Sequence, residues 1–349
     1  MKPTSRKSRL LHRILITLLA FLAIFSARRA ASIPGPVLDL DALTEQSTVV
    51  AMGAVVSLQP GPDTELTDGS VTFEGRRIAV SLRVDRFLKG NLPSNEVSFY
   101  YLLPLAFRGW RTIALNQYGI FFLTETSDAS LRLTSPYYPF VAALPGVPTS
   151  GVGPIDRVIS ALCGTALTPS GDDDQRLSAI RSLSRTKATS AVAKLRELTG
   201  VGPTPVRLEA AATLLRRNDI SALDLVVDAL LRNPADAPAA VLQDALAAIA
   251  SNVTNPEAVP ALTTLLRSDD VEVRRAGSSG LMRTRSPGAA QPLLSALADS
   301  DFEVRYYAVV GLAEIAGQPE WRPTIDQFRA NEERYLQHWT GWSPTDKHR

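Results

Sequence analysis

Between Pro256 and Gly317 the order of apolar and polar positions occurs twice. PEAVPALTTLLRSDDVEVRRAGSSGLMRTRS and PGAAQPLLSALADSDFEVRYYAVVGLAEIAG each run a Leu-rich amphipathic segment into a Ser/Asp turn, after which Val-Arg opens a second segment with small or apolar residues every three to four positions. That is the pattern of one helical hairpin, repeated. In the second helix the inward stripe is Val273, Gly277, Leu281 in one copy and Val304, Ala308, Leu312 in the next, at offsets 0, +4 and +8. The same triplet recurs upstream as Val241, Ala245, Ile249, as Val206, Ala210, Leu214, and in weaker form as Gln175, Ala179, Leu183. Five copies follow one another in steps of 31, 35, 32 and 31 residues. The preceding helices keep a register of their own, with Leu195/Leu198, Val227/Leu230, Leu262/Leu265 and Leu294/Leu297 three apart at matching places.

One such hairpin cannot bury its apolar face alone, so neighbours must stack into a one-dimensional core. The spacings Asp269 to Glu272 and Ser300 to Glu303 are those of capping boxes and mark the starts of second helices. Upstream the periodicity changes. Thr48 to Leu58 is a Val-rich apolar run, Ile78 to Phe87 alternates as IAVSLRVDRF, and Val97 to Leu103, Tyr118 to Thr124 and Leu131 to Thr134 also read as strands. Glu74-Gly75 and Lys89-Gly90-Asn91 are turn signals, and a short helical turn from Asp39 to Ser47 precedes the first strand. Five or six antiparallel strands in this span predict a small barrel or sandwich. Three Pro and three Gly between Leu144 and Pro154 mark a boundary. After the repeats, Ile325, Phe328, Tyr335, Leu336 and Trp339 share one side of a predicted helix from about Thr324 to Trp339, a cap for the last repeat.

The repeats resemble the short HEAT-like type also found in phycobilisome lyases. Asp269/Asp270 with Arg274, and Asp299/Asp301 with Arg305, match that family's Asp…Val-Arg motif, in which Asp and Arg of successive repeats pair along the stack. The resemblance covers roughly residues 154 to 317. Repeat two has Arg207 but no acid between Gly202 and Pro205, and repeat three has Leu242 or Gln243 where Arg belongs, so the ladder is interrupted mid-stack. The strand region is similar to netrin-like or metalloproteinase-inhibitor OB barrels, through its helix-preceded first strand, the strand ending Arg86-Phe87-Leu88-Lys89-Gly90 and the later Gly119-Ile-Phe-Phe-Leu. It lacks the cysteines those domains usually carry, so no inhibitor chemistry transfers.

The expected fold is multi-domain α and β: an N-terminal small antiparallel β-barrel (OB-like) followed by a right-handed α-solenoid of about five HEAT-like hairpins. The expected boundaries are 1–32 signal peptide or N-terminal anchor, 33–143 β-barrel, 144–154 linker, 155–317 HEAT-like repeats and 318–349 C-terminal capping helix and tail.

Charge changes the picture once. Residues 1 to 32 hold seven Lys/Arg and no acid, and removing them takes the net charge from +2 to −5. A mildly acidic remainder argues against a nucleic-acid partner. The segment itself is laid out for export, with Lys2, Arg6, Lys7, Arg9 and Arg13 ahead of an apolar run from Ile14 to Phe25 and the small residues Ala30, Ala31, Ser32. The expected location is therefore periplasmic or extracellular, with an uncleaved N-terminal anchor as the alternative and the only link to a membrane.

Candidate chemistry is sparse. His12 lies in the targeting segment and His348 is next to last, which leaves His338 and rules out the usual metal clusters. Cys163 sits on the apolar face of ISALCGTAL and reads as a small hydrophobe. Asp172-Asp173-Asp174 lacks the alternating ligand spacing of a calcium loop and reads as a helix cap. Neither a catalytic residue nor a cofactor or metal site is expected. What remains is a surface: second helices line the concave side in the HEAT-like family, and offsets +2, +6 and +10, roughly 200° from the inward stripe, gather Leu177, Arg181 and Arg185; Leu208 and Arg216; Gln243; Arg275 and Arg283; then Tyr306, Val310 and Glu314. Arg181, Arg185, Arg216, Arg275, Arg283, Tyr306 and Val310 are the expected partner-binding residues, for a protein or an acidic extended peptide. The reading is an exported, non-enzymatic protein-binding scaffold. Its alternatives are a lyase- or chaperone-like protein of the phycobilisome-lyase type and a membrane-anchored envelope assembly factor.

Overall fold

The computed structural model describes residues 38–68, 71–105, 112–135, 138–169, 171–233 and 237–343. Residues 1–32, expected from their sequence to direct export, lie outside the described residues. Helix α1 (Leu40–Gln46) starts on Asp39, whose carboxylate accepts from the Ala42 amide at 2.8 Å. Six strands follow: β1 (Val49–Asp68), β2 (Val71–Lys89), β3 (Glu96–Pro104), β4 (Tyr118–Glu125), β5 (Leu131–Leu133) and β6 (Val141–Ala142). β1 pairs with both β2 and β4, β2 with β3, and β4 with β5 and β6, all antiparallel. The circuit returns through β3 and β5, which meet in the parallel sense at Tyr100 and Arg132 alone. The ring is thus a barrel that is not strictly closed, and one of its pairings is parallel where only antiparallel ones were expected.

Two strands outrun the expectation. β1 and β2 continue as a paired arm to Asp68 and Val71, through the polar stretch containing Pro60, Gly61 and Pro62. Glu74-Gly75 is no turn but part of this arm. A Cβ on Gly75 would lie 2.7 Å from the Leu103 carbonyl oxygen, so this glycine marks close backbone approach. Gly90, with φ of 65°, does turn the chain after β2.

The barrel is apolar on both sides. Val49, Ala51, Val55, Leu82, Phe99, Phe121 and Leu123 fill its interior. Val50, Met52, Leu88, Ile120, Phe122 and Val141 point the other way and join one core with α1 and the first helices of the repeat region. Residues 144–153 bridge the two parts and are themselves anchored. Val147 is buried, the Leu144 amide donates to Thr165 Oγ1 at 3.1 Å, and Arg157 Nη1 donates to the Leu88 carbonyl at 3.1 Å. Lys89 Nζ reaches the carbonyls of Thr44 and Glu45 at the end of α1, at 2.8 and 2.7 Å.

The repeat region has five hairpins: α2 (Pro154–Leu167) with α3 (Asp173–Ser182), α4 (Thr189–Gly200) with α5 (Thr204–Arg216), α6 (Leu223–Arg232) with α7 (Ala239–Asn252), α8 (Val259–Leu265) with α9 (Val271–Thr284), and α10 (Ala290–Ala296) with α11 (Phe302–Ala316). The second helices α3, α5, α7, α9 and α11 contact one another in that order, each stacked on its own first helix. Every member of the five triplets is buried except Gln175, which is exposed at the first turn of α3. Of the first-helix pairs only Leu294 is half-buried. The expected capping boxes shift by one residue. Asp270 caps α9 and Asp301 caps α11, accepting from the Glu272 amide at 2.8 Å and the Glu303 amide at 3.0 Å.

The expected single cap helix is two, α12 (Ile325–Ala330) and α13 (Glu332–Thr340), broken at Asn331. Phe328 and Trp339 are fully buried, whereas Ile325 is 39% exposed. Among the described residues no helix is long and apolar enough to cross a membrane.

Candidate functional site

Of the predicted row of arginines, Arg181, Arg216, Arg275 and Arg283 lie on the second helices α3, α5 and α9, Arg185 lies in the turn that follows α3, α7 contributes none, and most of these arginines are already engaged. Arg181, on α3, donates Nε and Nη2 to Glu209 Oε2 on α5, at 3.1 and 3.0 Å, and lies 3.0 Å from Asp244 on α7. Arg216 donates Nη2 to the other oxygen of Glu209 at 2.8 Å and to Thr213 Oγ1 at 2.7 Å. The two arginines are thus brought together by one carboxylate whose side chain has 0% exposure. Glu209 was missed in the sequence because a lone acid in a helix reads as solvated. No local signal marks it: three residues after the first member of the triplet the other copies carry Ser178, Asp244, Ala276 and Tyr307, so the position is not uniformly apolar in the sequence.

Arg275 is held more firmly. Its Nε and Nη2 form a two-pronged contact with Asp301 at 2.9 and 2.7 Å, and Nη1 donates to Glu272 at 2.8 Å. The guanidinium holds the Asp301 carboxyl at a pKa of about 2, and the helix-start amides it accepts act in the same direction. Arg185 donates to the Leu38 carbonyl at 2.8 Å and lies 3.4 Å over the Tyr138 ring, so it ties the repeats to the start of the barrel domain. Arg283 is exposed and donates to the Ala250 carbonyl at 2.8 Å.

Four of the row's apolar members are not open surface. Leu177, Leu208 and Val310 are buried, and Tyr306 packs against Phe328 of the cap, with ring centroids 5.7 Å apart. The row is therefore a patterned surface of matched charges rather than a free basic strip with apolar ends. Reversing Arg216 or Arg275 would remove support from Glu209 or Asp301, so neither is a neutral probe of binding.

The Asp/Arg ladder runs along the other side of the second-helix starts. Arg274 reaches Asp299 of the next repeat at 2.8 Å, and Arg305 reaches Glu332 of the cap at 2.5 Å. Arg207, lacking an acid, donates to the Thr199 carbonyl at 3.0 Å.

The remaining candidates are structural. Asp172 caps α3, accepting from the Gln175 amide at 2.7 Å, and Asp173 pairs with Arg176. His338 stacks on Trp321 with centroids 3.6 Å apart and shares a 3.0 Å hydrogen bond with Gln318, and burial lowers its pKa. Cys163 is 7% exposed, and burial pushes its thiol up to about 12. It sits at the wall of a groove of about 510 Å³ between residues 148–152, α2 and α4, where Lys194 pairs with Glu197 rather than with sulfur. Among the described residues no cluster of His, Cys, Asp or Glu could hold a metal ion.

A comparison with curated proteins gives no match. Among solved structures, an engineered protein from the Northeast Structural Genomics Consortium is 21% identical over 52% of this chain and 93% of its own, with a TM-score of 0.34. A designed armadillo repeat protein is 21% identical over 53% of this chain and 93% of its own, with a TM-score of 0.33. Residues 234–313, which hold α7 to most of α11, match the family model described as HEAT repeats, so this stretch of the chain is similar to that family.

Proposed function

We propose that the chain is an exported, non-enzymatic scaffold that binds a protein partner across its second helices. The observation that supports this most directly is the unbroken succession of α3, α5, α7, α9 and α11, which presents one face whose long side chains are fixed in advance by their own pairs. Fixing them in the free protein lowers the ordering cost of association. Because Glu209, Asp244 and Asp301 balance Arg181, Arg216 and Arg275, the partner surface is of mixed charge rather than acidic throughout.

Exposed positions on this face test the reading without disturbing the core. Ala247, at offset +6 of α7, and Arg283, at +10 of α9, are both exposed. The variant Ala247→Trp/Arg283→Glu should fold like the wild type by circular dichroism and lose the proteins that the wild type captures from the native envelope. Retention of the same captured proteins would remove the second-helix face as the binding surface. Export is tested separately, by the mass of the chain recovered after fractionation, which should begin near Ile33.

A further inference from the structure

The strong repeats carry their own template for what fills the seam between neighbouring hairpins. Arg274 lays Nε and Nη2 on Asp299 at 2.8 and 3.2 Å, and its Nη1 donates to the carbonyls of Ser268 and Asp269. Arg275, next to it, makes the two-pronged contact with Asp301. Two adjacent guanidinium groups thus close the seam between the fourth and fifth hairpins.

One hairpin earlier both are missing. Val241 occupies the place of Val273, so Leu242 and Gln243 stand where the two arginines stand, and Ser268 takes the place of Asp299 while Asp270 keeps that of Asp301. The seam there is open, as a cavity of about 460 Å³ with Leu230, Leu242 and Leu246 on one wall and the turn from Arg267 to Asp270 on the other. Among the described residues no cation pairs with Asp269 or Asp270, and the Asp270 carboxylate accepts from the Glu272 amide at its helix start. Asp269 and Asp270 line this hollow together with Arg267, and Arg274, although within electrostatic reach of Asp269, has its ion pair with Asp299, so the acids of the turn outnumber the cations not already paired.

We propose that this open seam is the docking site for two adjacent arginine side chains of a protein partner, which make between chains the contacts that Arg274 and Arg275 make within this one. The chemistry fits on two counts. A planar guanidinium matches a carboxylate in two-pronged fashion and needs the acceptors that the turn leaves without a cation. Its methylene stem lies against apolar surface, which the Leu wall supplies. The site rests on the protein-binding reading for the existence of a partner, and on none of the row Arg181 to Arg283 for its chemistry.

The test titrates N-acetyl-Arg-Arg-amide into the isotope-labelled full-length chain and follows backbone amide shifts. Saturable shifts are expected at residues 267–273 and 242–246, with a dissociation constant on the order of 1 mM. The uncharged isostere N-acetyl-citrulline-citrulline-amide should bind at least tenfold more weakly. Leu242→Arg/Gln243→Arg/Ser268→Asp, which fills the seam from within, should abolish the shifts and raise Tm. Asp269→Asn leaves the α9 cap in place and should weaken the peptide several-fold even if the triple variant does not fold. Equal shifts with the citrulline peptide, no saturation, or full binding by Asp269→Asn would overturn the site. Such a failure would leave the Ala247→Trp/Arg283→Glu result untouched, so the two readings fail separately.

Discussion

Glu209 has its two carboxylate oxygens divided between two arginines, and this division sets the result of removing each group. Its side chain is 0% exposed, Oε2 takes Arg181 and Oε1 takes Arg216, while those arginines are 42% and 27% exposed. The burden of burial therefore falls on the acid. Losing one arginine orphans one oxygen, which costs about 1.5–3 kcal/mol for a hydrogen bond to a charged group. Losing both leaves a buried carboxylate with no counter-charge, at about 3–5 kcal/mol. Glu209→Met removes the buried charge instead. It leaves Arg181 with Asp244 at 3.0 Å and Arg216 with Thr213 at 2.7 Å, so it should cost no more than about 1.5 kcal/mol.

Hydrogen exchange of α5 amides reads this locally, which suits a repeat array whose unfolding is not all-or-none. Arg181→Ala/Arg216→Ala should accelerate exchange roughly a hundred- to several-thousand-fold. If Glu209→Met proved as damaging as the double variant, the account of this network would be wrong.

Leu183 closes the weakest triplet, yet it is as fully buried as Leu281, so Leu183→Ala and Leu281→Ala should each lose about 2–5 kcal/mol; a mild effect at Leu183 in urea melts would restore the ranking that the sequence suggests. Gly311→Ala should destabilise by about 1–3 kcal/mol despite the helical preference for Ala, because the new Cβ would lie 2.7 Å from Leu293 Cδ1 and 3.1 Å from Met282 Cα; a higher Tm would show that these neighbours give way freely. Asp301 stabilises the fold above its unfolded pKa, near the ordinary 3.8, and this contribution is lost as pH falls toward about 2. Asp301→Asn should flatten that part of the acid-unfolding profile while keeping the α11 cap. Cys163, with its thiol pushed up to about 12, should react with Ellman's reagent at pH 8 only after unfolding.

The repeats were legible because their information is periodic. Each inward triplet repeats a spacing that only a helix can use, and the five copies check one another. The arm of β1 and β2 was not, because its stability comes from pairing between strands whose own residues, from Gln59 to Asp68, are mostly polar and include two prolines. The barrel's attachment to the repeats did leave a trace. β1 and β4 are apolar at consecutive positions, Val49 to Met52 and Ile120 to Leu123, where a strand with one wet face would alternate. Four of the row's five arginines lie on second helices and Arg185 in the turn after α3, but the charge balance of the row depends on Glu209, Asp244 and Asp301, most of whose pairings cross between repeats at separations that no local pattern encodes.

The packing of Val50, Met52, Ile120 and Phe122 against the first helices has a bearing on how copies of this molecule could assemble. A bare solenoid presents at its two ends the complementary faces on which repeats stack, and so invites head-to-tail growth. Here the first hairpin is covered by a sheet, and the last by the aromatic cluster of Phe328, Tyr335 and Trp339 against α11. Among the described residues the two ends of the stack are therefore unlike each other and unlike any repeat, and neither exposes the repeat face on which another hairpin would stack.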